Sequence, residues 1–406
     1  MKITLLLLTL IIIMINIPND SYSQNSNDFI SINSDVKYQY FATYDTERLN
    51  KIMNDELATF CEFKQSFTQA KYPLKLYKVI YKSVIPELNN KPTECSGLIA
   101  IPETGKTSMP MISYQHGTVF TNYEVPTNPE SSYETRLELA GLASQGYILI
   151  AADYFGKGIS KEPEAYLVKE SAKQVCYDMY IASLEVLKHL GYTPTQFFLS
   201  GWSQGSFNTL AFLNKLESLG VDVTAVSIAS TPSDLFAIVN RWVFEPKPID
   251  AIYLPGLLAL KANSFEIYYN EPGLSKMIIK PEYWQISNDL FTNKITWEEF
   301  DKVVPEKIPD YINPEFKKLI SNQLLGYGKI LSDAEVYRWR SKTPVNTYFG
   351  EIDEVIPEYI ARLPEGYQDL IGGNVTAVSA GPKADHRGTF VFSVNHQLNW
   401  FNSLLK

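Results

Sequence analysis

One stretch constrains this chain more than any other: Gln196-Phe197-Phe198-Leu199-Ser200-Gly201-Trp202-Ser203-Gln204-Gly205-Ser206, continued by Phe207-Asn208-Thr209-Leu210-Ala211-Phe212-Leu213. A short apolar run breaks at Gly201-Trp202-Ser203-Gln204-Gly205 and restarts with helical spacing through Phe207, Leu210 and Ala211, which predicts a strand, a sharp turn and a helix in immediate succession. In so tight a turn the Cβ atoms of neighbouring residues would collide, which accounts for Gly201 and Gly205. The residue between them is strained and pushed out above the sheet edge, and that residue is Ser203. The pentapeptide alone also fits an ordinary glycine-rich turn carrying a solvated serine, so the rest of the chain has to decide.

The chain around it alternates. Leu74 to Ser83 and Cys95 to Pro102 read as two antiparallel strands joined by the turn Asn89-Asn90-Lys91-Pro92. From there buried strands and helices take turns: strand Met109 to Tyr114, helix Tyr133 to Ser144, strand Tyr147 to Ala152, helix Glu164 to Leu190, strand Gln196 to Ser200, helix Gln204 to Leu219, strand Val223 to Ala229. Such alternation predicts a mainly parallel sheet covered on both faces. The next convincing strand, Val345 to Phe349, comes far later than a crossover needs, so something is inserted. That insert, 233–340, is rich in aromatics such as Trp242, Tyr253, Phe265, Tyr283, Trp284 and Trp297 and is broken repeatedly by proline. It predicts a helical cap over the C-terminal edge of the sheet, either shaping a pocket or serving only as a stiffened insert. The core, 41–232 and 341–406, then closes with a helix near Pro357 to Leu370, strand Val375 to Ser379 and a last helix from about Gly388. Thr46 to Gln69 reads as a helix outside the main sheet.

At 406 residues, 45% hydrophobic and 20% charged, the chain can bury an enzyme-sized core. A net charge of −9, with no run of Lys or Arg, excludes a nucleic-acid surface as the expectation. Met1-Lys2, the apolar run Ile3 to Ile17 and the small residues before Gln24 have the three parts of a secretory signal over 1–23, with cleavage near Ser23/Gln24 and a polar leader 24–40 behind it. The run is short for a spanning helix, so the expectation is export without stable membrane insertion. If a disulfide forms, Cys61 and Cys95 are the better pair, because Cys176 lies on the apolar face of a long helix. No Cys/His cluster has metal-ligand spacing and no phosphate-binding glycine loop is present, so neither metal nor cofactor is expected.

An unassisted serine is a poor nucleophile, and Ser203 would need a base and a carboxylate to orient that base. Of the four histidines, His386 in the loop Lys383-Ala384-Asp385-His386-Arg387-Gly388 follows the last strand and is the best placed, with His396 as the alternative. Gly350-Glu351-Ile352-Asp353-Glu354-Val355-Ile356-Pro357 follows a core strand and offers Asp353, or alternatively Glu351. Asp385 is disfavoured because adjacent side chains diverge. Asp353 could instead merely cap the helix after Pro357. The backbone N–H of Gln204, at the start of a helix whose first amides are free, would face a developing oxyanion.

The order Ser203, Asp353, His386 resembles that of the α/β-hydrolase superfamily. The match extends to Tyr114-Gln115-His116-Gly117-Thr118, to Asp153-Tyr154-Phe155-Gly156-Lys157-Gly158-Ile159-Ser160 and to the elbow itself, over nearly the whole chain beyond the leader. Among subgroups the chain looks like the secretory lipase and esterase group, departing from it at Ser206 and in the His116-Gly117 turn. The resemblance implies an α/β-hydrolase fold, a sheet of the eight-stranded type with the cap between strands six and seven, a second oxyanion donor at the N–H of Thr118, and a loop-forming rather than basic His116. It also implies an exported serine hydrolase that cleaves small-molecule or lipid carboxylic esters through an acyl-enzyme. Two alternatives stand beside it: an exported serine peptidase of the prolyl or aminoacyl type, and a hydrolase-fold binding protein without turnover.

Overall fold

The computed structural model describes residues 28–324 and 326–406; the predicted signal 1–23 lies outside the described residues. Ten strands form one sheet: β1 (Ile30–Ser31), β2 (Val36–Tyr44), β3 (Leu74–Ile85), β4 (Lys91–Pro102), β5 (Ser108–Gln115), β6 (Ile148–Ala152), β7 (Thr193–Trp202), β8 (Ala225–Ala229), β9 (Val345–Phe349) and β10 (Val375–Ser379), in the order β1-β2-β3-β4-β6-β5-β7-β8-β9-β10. The first four and the β4/β6 pair are antiparallel, and β6, β5, β7, β8, β9 and β10 run parallel. The strand order reverses beside β5, so the C-terminal ends of β5, β7, β8 and β9 open onto one crevice.

Two strands exceed the expected eight: β1 lies within the region read as leader, 24–40, and β2 begins in it and runs on into the core. Val36-Lys37-Tyr38-Gln39 alternates apolar and polar residues; Val36 and Tyr38 are buried while Lys37 and Gln39 are only partly covered, which is the period of a half-covered strand. The polar residues around it hid that period. The helix expected over Thr46 to Gln69 runs only from Thr46 to Phe60, with a π turn at Ile52–Glu56, and beyond Phe60 the chain is irregular.

Apolar side chains pack on both faces. One face gathers Val79, Ile99, Met111, Ile150, Leu199 and Val226 with the helices Lys169–His189 and Gln204–Ser218, and continues into the cap. The other gathers Leu98, Ile112, Leu149 and Phe198 with the helices Tyr133–Gly141 and His386–Ser403. Cys95 belongs to the first face and Cys61 packs against the second, so the sheet separates them and the bridge considered for them is absent; Cys61, Cys95 and Cys176 are free thiols. Between β8 and β9 the described residues form eight helices, from Leu235–Phe244 to Gly326–Asp333, whose own core includes Phe265, Phe300, Tyr311 and Phe316.

Candidate active site

Strand β7 ends at Trp202 and the helix Gln204–Ser218 begins one residue later, leaving Ser203 alone in the turn at φ 55° and ψ −120°. That left-handed conformation is costly for a residue with a side chain and persists only where its surroundings impose it. They do so here by crowding. A Cβ on Gly205 would lie 1.8 Å from the carbonyl oxygen of Gln115, and one on Gly201 would lie 2.3 Å from Thr209 Oγ1. The glycines are therefore required by close approach rather than by dihedral freedom. Gly205→Ala should destabilise the protein by at least about 2 kcal/mol, as overpacking of a rigid backbone does, measured by chemical denaturation.

The imidazole of His386 bridges Ser203 and Asp353. Its Nε2 lies 2.9 Å from Ser203 Oγ, and its Nδ1 lies 3.0 and 3.1 Å from the two oxygens of Asp353. His386 is not in a loop, as the sequence suggested, but is the first residue of the last helix, whose N-cap Asp385 accepts from the Gly388 N–H. Asp385 is thus engaged elsewhere, and Glu351 is exposed, taking a hydrogen bond from Ser379. Asp353 accepts the N–H groups of Val355 and Ile356 through Oδ1 and the Ser230 hydroxyl through Oδ2, at 2.9, 2.8 and 2.6 Å. It shapes its own turn while orienting the ring, rather than capping the later helix.

The electrostatics follow from burial opposed by partners. Burial pushes the Asp353 carboxyl up, but the facing His386 and the hydrogen bonds to it outweigh this and hold it below the ordinary carboxylate value. Burial likewise pushes His386 down, and the Asp353 carboxylate reverses that, leaving the imidazole above the ordinary histidine value. The pair therefore favours an ionised carboxylate beside a ring able to receive a proton.

The other histidines are spoken for. His116 is buried, stacked 4.1 Å from Tyr154, with its ring nitrogens facing the carbonyls of Gly117 and Asp153; burial lowers its pKa to about 4. His396 lies along the last helix, 2.9 Å from the Tyr348 hydroxyl and stacked on Phe392. His189 packs edge-on to Tyr38.

Gln204 opens its helix directly after Ser203, so its N–H belongs to the first turn, where intrahelical acceptors are lacking. Thr118 lines the same cleft as Ser203, and the segment around it is tied down by its neighbours. The Gly117 N–H donates to Glu134 at 2.9 Å, the Thr118 hydroxyl meets that of Tyr166 at 3.0 Å, and Lys157 donates to the carbonyls of Val119 and Thr121 at 3.0 and 3.1 Å. Lys157 is itself paired with Glu164 at 2.8 Å, and Asp153 is locked by Ser96 and Thr127. The segment carrying Thr118 is fixed before any ligand arrives.

A cleft of about 400 Å³ opens over Ser203 and His386. Phe60, Phe120, Tyr133 and Trp202 line it from the core, and Tyr253, Leu257 and Trp297 from the cap. Trp297 stacks on Phe120 at 4.6 Å, so the cap meets the core at the cleft and is not a remote insert.

Several residues here carried no sequence signal. Glu354 accepts the His386 N–H at 2.9 Å and the Tyr253 hydroxyl at 3.2 Å, tying the cap to the histidine; it read as one more acid in a run of three. Ser230, at φ 50°, and Trp202, whose indole N–H donates to the His386 carbonyl at 3.1 Å, were likewise missed. Glu134 is buried, which raises its pKa to about 7, although it lies in a helix that begins like any surface one. Only Leu137, three residues on and so on the same helical face, could have hinted at it.

Residues 133–229 match the model of the prolyl oligopeptidase family. No protein of curated function matches the sequence. Among solved structures the chain is similar to a Legionella pneumophila protein assigned as a hydrolase, at 22% identity and a TM-score of 0.79, covering 93% of this chain and 98% of that one. It is similar also to the rice cell wall degrading esterase LipA of Xanthomonas oryzae in a ligand-bound form, at 19% identity and a TM-score of 0.77 over 93% and 98% of the two chains. Candida antarctica lipase A in its closed state aligns at 13% identity and a TM-score of 0.65, covering 90% of this chain and 81% of that one. Strand order, the helix-covered parallel sheet and these likenesses together establish that the chain has the α/β-hydrolase fold.

Proposed function

We propose that the protein is a serine hydrolase of carboxylic esters that works through an acyl-enzyme. The observation that carries the reading is the hydrogen-bonded series Ser203–His386–Asp353 at 2.9 and 3.0 Å, with Ser203 held at positive φ over the open cleft. In this reading Ser203 Oγ attacks the ester carbonyl as His386 Nε2 takes its proton, and Asp353 stabilises the imidazolium. The N–H groups of Gln204 and Thr118 receive the oxyanion, and donors fixed in advance are worth most in a site that excludes water. His386 then returns the proton to the departing alcohol, and water repeats the sequence on the acyl-serine.

A second reading, amide cleavage, is favoured by the prolyl oligopeptidase match over 133–229, which spans the elbow. A panel of p-nitrophenyl esters beside a peptide p-nitroanilide separates the two: the expected result is ester turnover without anilide release, and rapid anilide release would reverse the order. Export belongs to the same proposal, motivated by the 1–23 pattern; N-terminal sequencing of the protein made in its own cell should begin near Gln24.

The pH dependence follows from the shift of His386. Only the neutral ring can take the serine proton, and a raised pKa keeps the ring charged to higher pH. So kcat/KM should fall on acidification with its half-point above the ordinary 6.5. A half-point near 4, the value of His116, would instead point to that ring as the base.

A further inference from the structure

A second, narrower cleft also reaches Ser203. Its walls include Ser203 and Gln204 but not His386, and it is closed by Ile356 from the core with Leu235, Trp242, Leu257 and Lys261 from the cap. Leu257 and Lys261 lie four apart on the helix Leu254–Tyr268 and so share a face; Leu257 also lines the wide cleft. The cleft is tight, about 20 Å³, which suits only short, slender groups.

Lys261 is 2% exposed, and among the described residues its ammonium has no hydrogen-bond partner. Among the described residues no carboxylate pairs with it, and its ammonium lies over the face of Phe265 at 5.9 Å. The fold satisfies a buried lysine elsewhere: Lys157, equally buried, has two carbonyls and the Glu164 carboxylate. An unpaired buried cation is among the most destabilising groups a core can hold, and a methionine would fill the same space without that cost. Burial alone lowers the Lys261 pKa to about 7, as expected for an ammonium whose partner is missing.

The proton path divides the two clefts. A leaving alcohol must receive its proton from His386 Nε2, so it departs through the wide cleft, which holds His386, and the acyl part is left with the narrow one. We propose, resting on the esterase reading, that the narrow cleft is the acyl site and that Lys261 takes a carboxylate at the far end of a short acyl chain, so that the favoured substrates are half-esters of short dicarboxylic acids. Acylation of Ser203 releases the alcohol, protonated by His386, and water then cleaves the acyl-serine to give the free dicarboxylate. Lys261 is the specificity-determining group, offering the incoming anion a charge that the protein itself leaves unpaired.

The test compares 4-methylumbelliferyl hemisuccinate with the butyrate ester for wild type and Lys261→Met. The succinyl-to-butyryl ratio of kcat/KM should fall at least tenfold in the variant, and its melting temperature should rise, since an unpaired cation is gone. Lys261→Gln, which keeps length and polarity, should fall between the two and serves if the methionine variant folds poorly. In parallel, monomethyl succinate should raise the melting temperature of Ser203→Ala protein but not of Ser203→Ala/Lys261→Met. An unchanged ratio in an enzyme that hydrolyses butyrate would overturn the role of Lys261 and leave the esterase reading standing. If neither ester is hydrolysed, the esterase reading fails, and the melting measurement still decides whether Lys261 holds a carboxylate: a lysine-dependent shift keeps the site, and no shift removes it.

Discussion

Ser203→Ala should abolish ester turnover, with a loss on the order of 10⁴-fold in kcat, and should abolish covalent labelling by a fluorophosphonate. The expectation rests on what the substitution leaves alone. Ser203 is 7% exposed and its hydroxyl has one hydrogen-bond partner among the described residues, His386 Nε2, so trimming it opens no cavity in the core. The backbone that creates the strained turn is held by the Ser203 N–H to the Ala229 carbonyl at 2.9 Å and by the contacts of Gly201 and Gly205, none of which involves the hydroxyl. Melting temperature should therefore stay near that of the wild type while activity disappears. A folded Ser203→Ala protein that still hydrolyses esters and still labels would remove Ser203 from the mechanism.

The features legible in the sequence are those whose physics is local. The elbow is written in the spacing of Gly201, Ser203 and Gly205, because crowding within one turn dictates which positions can carry a Cβ. Asp353 and His386 were legible because a side chain acting above the strand ends must sit just past β9 and β10, and only a few acids and histidines do so. Less legible was whatever depends on partners distant in sequence. Glu354 reads as a surface acid until the cap brings Tyr253 to it, and Ser230 reads as a loop residue until β8 and β9 lie side by side. β2 was hidden because its polar positions are the outward half of a strand whose other half is covered.

The buried charges were the least legible of all. Lys157, Glu164, Glu134 and Lys261 each look like ordinary solvated residues in a chain that is one-fifth charged. Three of them are tied to the segment 117–121 or to its support, where a satisfied buried polar network stiffens a loop that must hold its shape. Of these four, Lys261 alone has neither a hydrogen bond nor an ion pair among the described residues, and no pattern within the cap helix announces it, since its neighbours Leu257, Leu258 and Phe265 read as one apolar face.

His386→Ala should cost nearly as much activity as losing Ser203, and combining the two should add little, because residues that act as one unit are not additive. The imidazole sits between two fixed points, 2.9 Å from Ser203 Oγ and 3.0 Å from Asp353, and no other ring can reach them: His116 is turned to backbone carbonyls and His396 to the Tyr348 hydroxyl. His396→Ala should instead keep most of kcat. It removes a ring stacked on Phe392 and half-buried against β9, and should lower stability by about 1–3 kcal/mol. The two variants thus move different observables, activity for one and melting temperature for the other, and kcat/KM with Tm on the same ester reads both. His386→Ala has a structural side as well, since Trp202 packs 5.1 Å from the ring. That loss lies on the stability axis and cannot imitate a collapse of kcat in a folded protein. An active His386→Ala beside a folded but inactive His396→Ala would reverse the assignment of the base, and with it the reading of the cleft that both Ser203 and Lys261 face.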